Sequence, residues 1–216
     1  MHRALMAVSA LAVVVTAASA GAQGPVSTGV NVSGGSNPAD LSWGVSYTTS
    51  SGTTTVNNAP VVMNPPSPPW LPNSPGNYQW ISAASSGSVG SSASYTFSTV
   101  FNLSGYNPST ASLSFHCAVD NWFVGYSLNG GPTVTTGCGS QANGYQFGSL
   151  QTITSGFLAG NNTLSFMSSG DGTTDGLVVH VAGFQAAPST VPEPSSMALL
   201  GTGLVGLVPM LRRRRK

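Results

Sequence analysis

Positive charge is missing from almost the whole of this chain. Of its 216 residues six are Lys or Arg, and they are Arg3 and the closing run Arg212, Arg213, Arg214, Arg215, Lys216. Between residues 4 and 211 there is none. A body without cations cannot neutralise phosphates, which excludes nucleic-acid binding. It also lacks the Lys and Arg clamps on which most phosphate-handling enzymes rely. Acids are nearly as scarce: Asp40, Asp120, Asp171, Asp175 and Glu193. Charged residues make up 5% of the chain, where about a quarter is usual. Glu, Lys, Arg and Leu are the good helix formers, and their scarcity argues against helices of any length.

Catalytic side chains are thin on the ground too. Serine nucleophiles need a base, and the body holds only His116 and His180. No G-x-S-x-G elbow occurs. Neither histidine has a second His or a carboxylate at metal-ligand spacing, so no catalytic zinc is expected. Glycoside hydrolysis needs two carboxylates about 5 to 9.5 Å apart. Asp171 and Asp175 share one Gly-rich loop, but such loops carry Asp for turn chemistry. The same loop offers oxygens to calcium, yet its spacing departs from an EF-hand, and a solvated turn is the simpler reading. No cofactor or metal is implied, and the expectation is a non-enzymatic protein.

What is present falls into three segments. His2 and Arg3 precede an apolar stretch, Ala4 to Ala17, and two small-x-small sites, Ala18-Ser19-Ala20 and Ala20-Gly21-Ala22. This is the pattern of a secretory signal peptide, residues 1–22. The body, residues 23–190, has 47 Ser or Thr among 168 residues. Short runs of strand-favouring residues bounded by Gly, Asn and Pro predict an all-β domain. The tail, residues 191–216, begins Val191-Pro192-Glu193-Pro194, continues through an apolar stretch from Met197 to Leu211, and ends on the cations. Fifteen helical residues span about 22 Å at 1.5 Å each, short of a hydrocarbon core of about 30 Å. Ser195 and Ser196 at one end and snorkelling Arg at the other make up part of the difference. The terminal cations favour the cytoplasmic side of a transmembrane helix, which leaves the body outside.

The order of Val191-Pro192-Glu193-Pro194, an apolar span with Gly201, Gly203 and Gly206, and Arg212 to Arg215 resembles the PEP-CTERM sorting signal of Gram-negative bacteria. Pro209, late in the span, departs from the plain aliphatics usual there and is expected to kink the helix near its end. The resemblance implies recognition by an exosortase, a membrane cysteine protease that cuts near the Pro-Glu-Pro motif. It further implies a producer that makes exopolysaccharide and biofilm, and a protein held briefly in the inner membrane before it reaches the cell surface, outer envelope or matrix. The chemistry agrees, because two prolines hold the backbone extended and resist being drawn into the following helix.

Within the body, alternation predicts strands at Leu41 to Thr48, Tyr78 to Ile81, Tyr95 to Leu103, Ala111 to Val119, Trp122 to Leu128, Tyr145 to Thr154, Thr163 to Met167 and Leu177 to Phe184. In the fourth of these Leu113, Phe115, Cys117 and Val119 point inward, and Ser114 and His116 outward. Residues 60–75 hold seven prolines and read as loop or polyproline-like chain. Asn129-Gly130 is a tight-turn dipeptide. About eight strands with regular turn signals predict a β-sandwich. The elements Asp120-Asn121, Leu128-Asn129-Gly130, Gly160-Asn161-Asn162-Thr163-Leu164 and Gly176-Leu177-Val178-Val179 resemble the galactose-binding-like jelly roll of carbohydrate-binding modules. That resemblance implies the sandwich and suggests a glycan ligand.

Cys117 and Cys138 are the only cysteines. An even count in an exported protein favours a disulfide between them. Glycan binding uses aromatic faces against C–H patches and neutral amides or carboxylates at hydroxyls. Asp120, Asn121 and Trp122 at one predicted strand edge, with Asn129 after the next strand, are the candidate contacts; Trp70, Tyr78 and Trp80 flank the Pro-rich loop. The uncharged Ser/Thr/Asn surface gives little electrostatic steering and suits a neutral polysaccharide matrix. The reading is an exosortase-processed surface or matrix protein with a structural or adhesive role, with exopolysaccharide as candidate partner; the alternative is a secreted carbohydrate-active hydrolase.

Overall fold

The computed structural model describes residues 22–66 and 68–189. The signal-peptide residues 1–21, the sorting motif Val191 to Pro194, the expected transmembrane helix and the basic run Arg212 to Arg215 lie outside the described residues. The body is all-β, built from two antiparallel sheets with only two three-residue 3-10 turns among the described residues. The strands are β1 (Trp43–Thr49), β2 (Gly52–Val56), β3 (Ala93–Asn102), β4 (Ser112–Asp120), β5 (Trp122–Leu128), β6 (Gln151–Ile153), β7 (Asn161–Gly170) and β8 (Gly176–Gln185). Five form one sheet in the order β2-β1-β3-β7-β5, and three form the other in the order β6-β4-β8.

Side chains alternate across a strand, and this decides which residues meet between the sheets. The large sheet contributes Trp43, Val45, Tyr95, Phe97, Phe101, Leu164 and Phe166, all essentially buried. The small sheet answers with Leu113, Phe115, Cys117, Val119, Leu177 and Val179. Phe115 crosses the gap, with its ring centroid 5.3 Å from Phe166 and 5.1 Å from Tyr126, both edge-on, the arrangement favoured by the ring quadrupoles. The outer face of the large sheet is hydroxyl-coated. Register sets Thr48, Ser94, Ser169 and Trp122 in one row across it, and Ser46, Thr96 and Met167 in the next.

The small sheet is covered on both sides. Ala118 and Val178, the outward neighbours of Cys117 and Val179, sit in a second buried cluster with Val62, Trp70 and Trp80. The Pro-rich segment is therefore a lid rather than a free loop: Val61, Val62 and Trp70 are at most 2% exposed. Trp70 and Trp80 stack with centroids 4.1 Å apart. One edge of each sheet is closed by neighbouring chain. Thr28 N–H donates to Val179 O at 3.0 Å beside β8, and Tyr126 and Val134 exchange two backbone bonds beside β5. Cys117 on β4 is joined by a disulfide to Cys138 in the segment after β5.

Beyond shifts of up to three residues at strand ends, three elements differ from the sequence reading. β2 has no place in it, because Gly52-Thr53-Thr54-Thr55 is exposed throughout and carries no alternation. Tyr78 to Ile81 makes isolated bridges only. The expected strand from Tyr145 to Thr154 contracts to β6, since Tyr145 takes a left-handed φ of 57° that ends an extended run.

Candidate functional site

Four segments converge at one end of the sandwich: the β4–β5 turn at Asp120-Asn121, the β7–β8 loop from Asp171 to Asp175, the Pro-rich lid, and the loop through Tyr145. The peptide bond between Asp120 and Asn121 is cis. Asp120 follows Ala118 by two residues and so shares its outward face, under the lid. The indole N–H of Trp70 donates to Asp120 Oδ2 at 2.7 Å, while Asp120 Oδ1 is buried without a partner. Burial pushes the Asp120 carboxyl up to about 7, helped by the negative charges of Asp175 and Asp171 and opposed by the Trp70 bond. A body without cations has no side-chain counterion to offer it.

Asn121 is 4% exposed and holds the two turns together. Its Oδ1 accepts from Asp171 N–H at 3.0 Å, its Nδ2 approaches Asp171 Oδ2 at 3.4 Å, and its carbonyl accepts from Gln141 N–H at 3.0 Å. Asp171 itself is exposed, and hydrogen bonds from the Thr173 hydroxyl and N–H hold its carboxyl below the usual value. Asp175 belongs to the main core. Tyr95 Oη donates to its Oδ2 at 2.8 Å, and its Oδ1 has no partner. Burial raises its pKa, and it raises that of Tyr95 together with burial of the phenol.

The four residues expected to contact glycan are thus separated by their environments. Trp122 is 49% exposed on the outer face of the large sheet. Asp120 and Asn121 are turned into the structure. Asn129 lies at the far end of β5, about 20 Å away along a strand rising about 3.3 Å per residue. Its side chain is spent on the turn: Nδ2 donates to Gly156 O and Asn162 Oδ1, and Oδ1 accepts from Thr163 N–H, each at 2.8 Å. Its φ of 54°, followed by 67° at Gly130, is what the Asn-Gly turn requires. The strand edge expected to group Asp120, Asn121 and Trp122 thus exposes only Trp122 of the three, and Asn129 lies at the opposite end of β5. Of the aromatic flank, Trp70 and Trp80 are core and Tyr78 is half-buried.

For hydrolysis the arrangement is unfavourable. Asp120 sits under the outer lid and Asp175 in the main core, on opposite sides of the small sheet. Four of the grooves formed by described residues, of about 450, 310, 250 and 390 Å³, have no carboxylate in their lining. Sequence reasoning missed the Trp70–Asp120 bond and the Asn121–Asp171 clasp, since neither pair is close in the chain. The hydroxyl face was legible in principle from Ser94, Thr96 and Ser98 at every second position.

Residues 190–216 match the family model described as the PEP-CTERM protein-sorting motif. No curated protein and no solved structure matches the chain. The matched segment is the tail alone. It supports an exported protein of a Gram-negative bacterium that an exosortase processes, and it carries no information about the body.

Proposed function

We propose that this chain is a surface or extracellular-matrix protein whose β-sandwich body has a structural or adhesive role after exosortase cleavage near Pro192-Glu193-Pro194. The observation that carries the reading is the sorting motif on a body that holds no Lys or Arg from residue 4 to residue 211. Such a body finds partners by contact rather than by long-range charge, as a component embedded in neutral, hydrated polysaccharide must. We read the two-sheet body as a galactose-binding-like jelly roll. Its contact with exopolysaccharide would centre on Trp122, the exposed aromatic in the row of hydroxyls Thr48, Ser94 and Ser169. A ring half in water offers a sugar an apolar face at little cost in desolvation.

Mass spectrometry of the protein from its native host tests the processing. The expected result is a C-terminus close to the Pro-Glu-Pro motif, and an intact chain through Lys216 refutes it. Glycan-array binding that is lost in Trp122→Ala, with an unchanged circular dichroism spectrum, is the expected result for the adhesive role. Turnover of polysaccharide by the purified protein would overturn the non-enzymatic reading in favour of a hydrolase.

A further inference from the structure

The chain has three histidines, His2, His116 and His180, and the two in the body are 64 residues apart in sequence. The β4–β8 register places those two directly opposite each other, His116 against His180. Both point to the outward face of the small sheet, the face of Ala118 and Val178, and both are half-buried. Directly opposed residues of an antiparallel pair have Cβ atoms about 4.5–5.5 Å apart. One ion bound at about 2.0–2.1 Å from each imidazole spans such a gap.

The surroundings suit that use. His116 Nδ1 lies 3.1 Å from the carbonyl oxygen of Gly148. A neutral ring that donates Nδ1–H there keeps its lone pair on Nε2, the way metal-binding histidines are oriented. The Phe147 ring packs 5.9 Å from His116 and 6.2 Å from His180, and Tyr78 lies 5.5 Å from His180, giving both imidazoles a common apolar wall. No Lys or Arg exists in the body to repel a cation. We propose that His116 and His180 form a two-imidazole site for a borderline divalent transition-metal ion of the Zn²⁺ class, the ions imidazole prefers. Among the described residues no group of three or more His, Cys, Asp or Glu gathers. Water therefore completes the coordination, and the ion exchanges readily. The site is independent of the sorting and glycan readings.

The test is calorimetric titration of ZnCl₂ into the full chain, untagged, carrying His2→Gln, and held in a neutral detergent. One ion per chain is expected, with binding at least tenfold weaker in His116→Gln and in His180→Gln, and none detectable in the double variant. Because a variant that misfolds would also lose binding, nitrogen-15 spectra of the parent's imidazoles provide a second readout. On zinc addition Nε2 of both rings should shift while Nδ1 of His116 stays protonated. Two ions per chain, binding that survives the double variant, or imidazole resonances unmoved at saturating zinc would overturn the proposal.

Discussion

The two sheets solve the same problem in different ways. The large sheet buries one face and leaves the other to water, so its strands alternate apolar with Ser or Thr, as in the buried-exposed rhythm of β3 from Ala93 to Asn102. The small sheet buries both faces, and at the end of β4 the alternation stops: Cys117, Ala118, Val119 and Asp120 are all buried. A three-stranded sheet cannot shelter its own outer face, and here the Pro-rich lid does so with Trp70 and Trp80. Covering that face traps a carboxylate, Asp120, that no Lys or Arg of the body can balance. The outer face of the large sheet gains solubility from hydroxyls and buries no carboxylate.

This contrast is broken most directly in the shared core. Phe166 contacts Trp43, Phe115 and Tyr126, so Phe166→Ala should cost about 3–5 kcal/mol. Urea unfolding of the parent and variant measures it, and a loss below about 1 kcal/mol would show that the sheets are not packed through this ring. The next effect belongs to the small sheet alone. Asp120 has a folded pKa of about 7 against an ordinary 3.8, so the folded state prefers the proton. Stability is fully present below pH about 4 and is lost as pH rises through 7. At about 1.4 kcal/mol per pKa unit the loss approaches about 4 kcal/mol. The raised pKa values of Asp175 and Asp40 act in the same direction. Asp120→Asn keeps an oxygen for the Trp70 indole and should remove the Asp120 share of this slope, leaving that of Asp175 and Asp40. A parent more stable at pH 8 than at pH 4 would contradict the trapped carboxylate.

The same contrast explains what the sequence disclosed. Where one face is wet, period-two patterning names the strand and its inward residues, as for Tyr95, Phe97 and Phe101 or Leu113 and Phe115. The Trp122–Leu128 strand was legible to the residue because Asn129-Gly130 closes it with a turn of known geometry. Where both faces are dry or both are wet, the pattern vanishes. β2 is exposed from Gly52 to Thr55, and the lid buries Val61, Val62 and Trp70 in a stretch whose prolines read as loop. The candidate site suffered most, because burial rather than residue type separates Asp120 from Trp122. Two adjacent-looking contacts became one core carboxylate and one surface ring, and no local signal distinguishes them.

The disulfide gives a smaller test of how the sheets are joined. Cys117 and Cys138 are 21 residues apart, and the chain-entropy model assigns a loop of that length about 3 kcal/mol. The bond ties the segment beside β5 of the large sheet to β4 of the small one. Cys117→Ala with Cys138→Ala should lower the unfolding free energy by about that amount, read as a lower urea midpoint, and reductant should lower the parent's midpoint comparably. If reductant leaves the parent's midpoint unchanged, the backbone bonds from Gly139 and Gly148 to Cys117 suffice to hold this connection.

The outer face of the large sheet should yield the smallest change, and that makes it the sharpest control. Thr96 and Ser94 are exposed and Ser98 half-exposed, and none makes a side-chain hydrogen bond that organises the core. Replacing Thr96 or Ser94 by Ala should therefore move stability within about 0.5 kcal/mol, and Trp122→Ala should stay near that range because half of the ring already faces water. A surface kept only for solubility would tolerate all three changes in every assay. A surface kept for contact with polysaccharide would tolerate them in urea unfolding but not in glycan binding. The pair of measurements thus separates two reasons for the same hydroxyls, and loss of stability in the alanine variants would mean that these side chains help to hold the sheet itself.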